Sequence, residues 1–69
     1  MSSSNYVSLR VERIVRETEK AFLLEIQGGE EIWLPKSQVA DYESYQAGDR
    51  DLEISITEWI ANEKNLEVS

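Results

Sequence analysis

The chain has 69 residues and no cysteine or histidine, which leaves room for one small domain and excludes a disulfide and a zinc site of the usual Cys/His kind. So small a domain buries only about 60% of the surface that its unfolded chain exposes. Its stability must come from tight packing or self-association, and a homo-oligomer is possible. The 14 acidic and 7 basic residues give a net charge of −7. This charge argues against nucleic acid as a partner, because phosphates are neutralised by lysine and arginine.

The first five residues are polar and no apolar run follows them, so residues 1–5 are predicted to be a disordered tail rather than a signal peptide. No stretch approaches the roughly 20 apolar residues that are needed to cross a bilayer. We therefore expect a cytoplasmic protein whose single β-rich domain covers residues 6–69.

The first structured segment, residues 6–16, fits two patterns. Apolar and polar residues alternate from Val7 to Val11, as on a half-buried strand, but Val7, Val11 and Ile14 also fit one face of a helix. Valine and isoleucine favour the strand. The alternation slips near Glu12–Arg13, which indicates a β-bulge. We predict a strand, with an α+β sheet that has a helix here as the alternative.

A hairpin follows. Two runs of alternating apolar residues flank Gly28-Gly29, and glycine accepts the positive φ angles of a tight hairpin turn. Pro35 ends the second run, because proline lacks the N–H that a ladder needs. The predicted core positions of the two strands are Phe22, Leu24 and Ile26, and Ile32 and Leu34.

The rest of the chain predicts a connection, a strand and a closing helix. Residues 36–50 read as the connection, with one helical turn near Ser37–Ala40 and a turn at Ala47-Gly48-Asp49. The one-sided strand is indicated by Leu52, Ile54 and Ile56. Thr57 is suited to cap the helix, whose apolar side would be formed by Trp59, Ile60 and Leu66. The fold class is mainly β: a small twisted antiparallel sheet or a partly closed SH3-like or OB-like barrel with a short C-terminal helix.

The residues that catalysis most often uses are missing, since the chain has neither histidine nor cysteine. Ser37 follows Lys36 directly, but adjacent strand residues point in opposite directions. The carboxylates lack the spacing of a calcium loop, and Gly28-Gly29 lacks the Lys-Ser/Thr of a phosphate-binding loop. We predict no enzyme, no metal and no cofactor.

The aromatic residues give the best indication of a binding site. If Ile32 and Leu34 face the core, Trp33 faces outward beside Leu23 and can anchor a partner. The alternative is that the closing helix covers this face through Trp59. Arg10 and Arg16 are also candidates, because they could hold a phosphate or a carboxylate if they share a strand face. Tyr42 and Tyr45 in the connection either line a pocket or pin the loop. The remaining candidate binding residues are Lys36 and Ser37.

Three motifs resemble a group of small uncharacterised proteins of phages and other mobile elements. They are Glu17-Thr18-Glu19-Lys20-Ala21, Ile32-Trp33-Leu34-Pro35-Lys36-Ser37-Gln38-Val39 and Thr57-Glu58-Trp59-Ile60-Ala61. The resemblance spans roughly residues 10–66 and implies a small accessory protein beside replication, recombination or counter-defence genes. It implies no particular activity.

The leading hypothesis is therefore a non-enzymatic binding protein that sequesters or blocks a host factor, either a protein or a small anionic ligand, in a role such as counter-defence. One alternative is an OB-like accessory protein for single-stranded nucleic acid, with Trp33 and the arginines as stacking and phosphate groups. Another is a structural subunit that acts through its own homo-oligomer.

Overall fold

A computed structural model describes residues 5–68, which form one four-stranded antiparallel sheet followed by a short helix. The strand order is β3-β2-β1-β4, so β3 and β4 are the edges of an open sheet. The prediction of a mainly β fold is confirmed. The elements are β1 (Tyr6–Glu17), β2 (Ala21–Glu25), β3 (Glu31–Pro35), the 3-10 turns Lys36–Gln38 and Tyr42–Ser44, β4 (Arg50–Thr57) and the helix α1 (Glu58–Glu63).

β1 is a strand along its whole length, which excludes the helical alternative. Its first half pairs with β4, where Leu9 lies opposite Ile54, and its second half pairs with β2, where Ile14 lies opposite Leu24. The register of the β1–β2 ladder shifts between Ile14 and Arg16. The alternation of buried and exposed residues does slip at Glu12–Arg13, as predicted, but the bulge itself lies slightly further along the strand.

The hairpin of β2 and β3 has the predicted turn. Gly28 and Gly29 have φ angles of 92° and 84°, in the region that glycine enters without steric cost. The Ile26 N–H donates to the Glu30 carbonyl at 2.8 Å and closes the ladder at the turn. Leu24 then lies opposite Ile32, and Leu23 lies opposite Trp33 on the other face of the sheet.

The core lies on the inner face of the sheet and is closed by α1. The Thr57 hydroxyl accepts a hydrogen bond from the Ile60 N–H at 3.2 Å, as predicted for an N-cap, and donates one to Gln38 Oε1 at 2.6 Å. The buried residues are Leu9, Val11, Ile14, Phe22, Leu24, Leu34, Val39, Ile54, Ile56, Ile60 and Ala61.

The apolar side of α1 differs from the prediction at Trp59. Ile60 is buried and Leu66 packs partly against the core, as expected, but Trp59 is 59% exposed. Adjacent helical residues are about 100° apart around the axis. Since Ile60 and Ala61 point inward, Trp59 points outward.

The segment between β3 and β4 covers part of the free edge of β4. Val39 is buried and forms an isolated bridge with Ile56, and the Ala40 N–H donates to the Ser55 carbonyl at 2.9 Å. The turn at Lys36–Gln38 matches the predicted helical turn in place, whereas the second turn at Tyr42–Ser44 was not predicted.

An ion pair fixes the start of this segment to the end of β1. Lys36 Nζ lies 2.6 Å from Glu17 Oε2, and its side chain is only 12% exposed. The hydrogen bond from Lys36 holds the pKa of Glu17 below its ordinary value of 4.5. The positive charge of Lys36 and a backbone hydrogen bond from Ala47 lower this pKa further, whereas partial desolvation raises it. The pair therefore favours the ionised carboxylate.

The described residues include no helix that is long and apolar enough to cross a membrane. The predicted tail falls mainly on residues 1–4, which lie outside the described residues. Asn5 is described, and its carbonyl accepts a hydrogen bond from the Glu58 N–H at 2.9 Å.

The two faces of β2 should respond differently to truncation. Leu24→Ala and Ile54→Ala should each lower the free energy of unfolding by about 2–5 kcal/mol, because both leave a cavity in the core. Leu23→Ala should lower the free energy of unfolding clearly less. Trp59→Ala should change it by no more than about 0.5 kcal/mol, as for other exposed positions. Urea denaturation measures all four. Equal losses at Leu23 and Leu24 would contradict the assignment of faces.

The Glu17–Lys36 pair should make stability depend on pH. Because the pKa of Glu17 is lowered by folding, its contribution is present above pH 4.5 and is lost as the pH falls through the lowered pKa. A double-mutant cycle with Glu17→Gln, Lys36→Gln and the double variant should give a favourable coupling at neutral pH that disappears in acid. A coupling that is unchanged in acid would show that the carboxylate charge does not matter.

Candidate functional site

Three side chains form a row across the outer face of the sheet. Arg16 lies opposite Leu23 on the next strand, and Leu23 lies opposite Trp33 on the third. Directly opposite residues share a face and have Cβ atoms about 5 Å apart. Trp33 is 46% exposed and Leu23 is half-buried. We call this row the Trp33 face: a guanidinium, an aliphatic chain and an indole side by side.

The Trp33 face depends on the extra residue Val15. In an uninterrupted ladder Val15 would lie opposite Leu23, and Arg16 would lie opposite Phe22, whose side chain is buried. The register shift leaves Val15 without a partner in this ladder and moves Arg16 to the outer face. The cation therefore reaches the tryptophan row because of the bulge.

A cleft adjoins the face at Pro35, at the end of β3. Ala21 lies opposite Pro35 on the same side as Leu23 and Trp33, and beyond them the Lys36 N–H donates to the Lys20 carbonyl at 2.7 Å. The cleft has a volume of about 420 Å³. We call it the Tyr42 cleft, and it is lined by Glu19, Lys20, Pro35, Lys36, Ser37 and Tyr42.

The ammonium group of Lys36 lies between two aromatic rings. Its Nζ is 4.9 Å from the ring centroid of Phe22 and 5.9 Å from that of Tyr42, within the range of a cation–π contact. The same atom binds Glu17. The ammonium group of Lys36 is therefore occupied by contacts within the domain, whereas the side chain of Lys20, which also lines the cleft, is exposed.

Most predicted binding residues fall into two adjoining groups. Leu23, Trp33 and Arg16 form the Trp33 face, and the cleft contains Lys36, Ser37 and Tyr42. Trp33 is exposed, and α1, whose inward residues belong to the main core, leaves it so, which decides between the two alternatives left open by the sequence.

Two predicted residues lie apart from these groups. Arg10 lies opposite Glu53 on β4, and six residues of extended chain separate it from Arg16 by up to roughly 20 Å. The two arginines therefore cannot hold one phosphate together. Tyr45 is half-buried and packs against the core, so it anchors the connection instead of lining the cleft.

Lys20 was missed as a site residue. It directly precedes Ala21, and the register that places Ala21 opposite Pro35 also brings Lys20 beside Lys36. The hairpin prediction contained this register, because it placed Trp33 beside Leu23 and the pairing continues outward from that pair. The pair that follows Ala21 and Pro35 in this register is Lys20 and Lys36, so extending the pairing by one residue would have identified Lys20.

The charge is distributed unevenly over the surface. Where β1 pairs with β2 and β2 pairs with β3, the outer rows, the cleft and the Glu17 that binds Lys36 carry four of the seven basic residues and four of the 14 acidic ones, so these charges sum to zero and the net charge of −7 lies on the rest of the chain. Within the described residues, ion pairs occupy Arg13, with Glu25 at 3.1 Å, and Lys36. Arg16 and Lys20 remain exposed. The four acidic residues of this region are Glu17, Glu19, Glu25 and Glu31.

The described residues 5–68 contain no group of three or more carboxylates close enough together to hold a metal ion. The groups that the site offers are an indole, a phenol ring, two exposed cations and a hydroxyl. These groups can stack on planar rings and neutralise phosphates.

One comparison with known proteins identifies a family. The model of the S1 domain family matches residues 6–50, which is more than half of the chain and extends from β1 to the start of β4. No curated protein and no solved structure matches the chain. S1 domains have the OB-like fold, whose second and third strands bind oligonucleotides on one face. Trp33 and Leu23 lie on the corresponding strands.

This match corrects the predicted partners. The expectation that nucleic acid is an unlikely partner was wrong, because S1 domains are nucleic-acid-binding OB folds. The net charge misled because it averages over the surface, whereas the charges around the Trp33 face and the cleft balance, and Arg16 and Lys20 are exposed there outside the two ion pairs. The chain belongs to the S1 domain family.

Proposed function

We propose that the domain is a non-enzymatic binding module for single-stranded nucleic acid and that bases stack on the Trp33 face. The observation that carries this proposal is the exposed Trp33 in one row with Leu23 and Arg16 on the strands that OB folds use for oligonucleotides. The family supports the same function. The resemblance to phage and mobile-element proteins stays a prediction.

The arrangement suits stacking better than long-range electrostatic capture. A base on an aromatic side chain contributes about 1–3 kcal/mol, and every base offers a flat face. Arg16, beside Leu23, can neutralise the phosphate of a base that lies on Trp33. The surrounding net charge of −7 opposes long-range attraction. We therefore infer weak binding that tolerates many sequences and requires an unpaired strand.

Tryptophan fluorescence should test the face directly. Trp59 is exposed on α1, so Trp59→Phe leaves Trp33 as the single tryptophan without disturbing the core. Single-stranded homopolymers should quench this variant strongly. Trp33→Phe, which leaves only Trp59, should show little quenching.

Trp33→Ala should weaken binding by about 5- to 150-fold, which corresponds to one lost stacking contact. Its circular dichroism spectrum should stay unchanged, because the side chain is outside the core. Failure of the wild-type domain to bind single-stranded RNA or DNA, or equal quenching of both single-tryptophan variants, would overturn the proposal.

Salt should weaken binding only moderately. Each neutralised phosphate of a single strand adds about −0.7 to the slope of log affinity against log salt concentration. With Arg16 as the exposed cation of the Trp33 face, we expect a slope of about −0.7 for a short oligonucleotide. A titration of a labelled oligonucleotide at several salt concentrations measures it. A slope as steep as that of a basic binding protein would show that other cations carry the binding.

A further inference from the structure

The Tyr42 cleft adjoins the Trp33 face at Pro35. Trp33 and Pro35 are two residues apart on β3 and point to the same side, about 7 Å from each other along the strand. Ala21, opposite Pro35, has a small side chain and leaves the path open. A strand that stacks on Trp33 and runs toward the end of β3 therefore enters the cleft with its adjoining nucleotides.

The lining of the cleft suits a nucleotide. Pro35 and the ring of Tyr42, which is 40% exposed, provide apolar surface. The ammonium of Lys20 and the hydroxyl of Ser37 are exposed hydrogen-bond donors. The volume of about 420 Å³ falls within the roughly 300–1,000 Å³ of small-molecule sites.

Both walls of the cleft are held in place by local hydrogen bonds. The Thr18 hydroxyl accepts from the N–H groups of Ala21 at 3.0 Å and Lys20 at 3.3 Å, which fixes the turn that carries Lys20. On the other wall, the Tyr45 N–H donates to the Tyr42 carbonyl at 3.2 Å. A site that is already ordered binds with a smaller loss of conformational entropy.

The electrostatics separate two roles for the lysines. Lys36 is bound to Glu17 and lies against the Phe22 and Tyr42 rings, so it orients Tyr42 and contributes little free charge. Lys20 is exposed on the opposite wall. Both Lys20 and Tyr42 line the cleft, so Lys20 is available to bind the phosphate of a base on Tyr42.

We propose that the Tyr42 cleft is a second nucleotide subsite, in which a base stacks on Tyr42 and its phosphate binds Lys20. The inference rests on the proposed function and extends it, because it adds a subsite from the connection between β3 and β4. It also predicts that affinity rises with oligonucleotide length until the strand spans both sites.

The test is a length series of single-stranded homopolymers, from the dinucleotide to the octanucleotide, against matched variants. Tyr42→Ala should leave the affinity for the shortest oligomers unchanged and reduce the affinity for the longest by at least about fivefold. Tyr42→Phe keeps the ring and should restore binding. Tyr6→Ala is the control, since Tyr6 is exposed at the start of β1, where it pairs with Thr57 of β4.

Lys20→Gln gives an independent readout. It should reduce the affinity for long oligomers and make the salt slope less steep by about 0.7, the value for one phosphate. Thermal melts of all variants show whether the fold is intact, and Tyr42→Phe covers the case in which Tyr42→Ala unfolds the connection.

The outcomes distinguish the two proposals. If Trp33→Ala loses binding while Tyr42→Ala and Lys20→Gln behave like Tyr6→Ala, the Trp33 face stands and the second subsite is refuted. If the wild type binds no oligomer, or Trp33→Ala binds as tightly as the wild type, the proposed function itself fails.

Discussion

β1 pairs with two strands, β4 and β2, and the extra residue Val15 allows it to keep its apolar residues in the core along both ladders. Toward β4 the strand keeps one regular register from Tyr6 to Arg13, whereas toward β2 the register shifts between Ile14 and Arg16. The shift allows Ile14 to stay in the core while Arg16 turns to the outer face. A bulge also increases the local twist and bends the strand, which helps a sheet of four strands to curve around one core. The core and the candidate binding surface thus depend on the same irregularity.

The charged residues are distributed so that, in a strongly acidic chain, the charges around the proposed binding surface balance. The ion pairs of Arg13 with Glu25 and of Lys36 with Glu17 belong to the structure of the outer face and the cleft. The exposed cations Arg16 and Lys20 follow the path of the proposed strand. The remaining surface carries the excess of carboxylates, which favours solubility and repels further phosphates. Under the proposed function, such an arrangement would restrict the nucleic acid to a short path on the surface.

The parts of the fold that have local signals could be predicted from the sequence. Gly28-Gly29 and Pro35 define the hairpin, and the alternation of its apolar residues defines its register and the outward direction of Trp33. The bulge could not be located in the same way. Its position depends on how β1 meets β2 and β4 at once, and the alternation of β1 alone pointed to Glu12–Arg13.

The errors at the candidate site have similar causes. Trp59 looks like a core residue by type, but the rotation of α1 is set by Thr57 and by the packing of Ile60. The partner was predicted wrongly because the net charge contains no information on position. Arg10 and Arg16 look alike in the sequence, and only the pairing with Glu53 and Leu23 separates them. In each case the missing information is a contact between residues that are distant in the chain.

The pairing of Tyr6 with Thr57 has a consequence for folding kinetics. Residues 7–56 lie between these two partners. Beside the pair, the Glu58 N–H donates to the Asn5 carbonyl. The hairpin of β2 and β3 closes a short loop, whereas the ladder of β1 with β4 closes the longest one available. Contacts between residues far apart in sequence slow folding, because the entropy of loop closure is lost before the contact is gained. We expect the hairpin and the second half of β1 to assemble early. The first half of β1 would wait for β4, so that the core is completed in the last step.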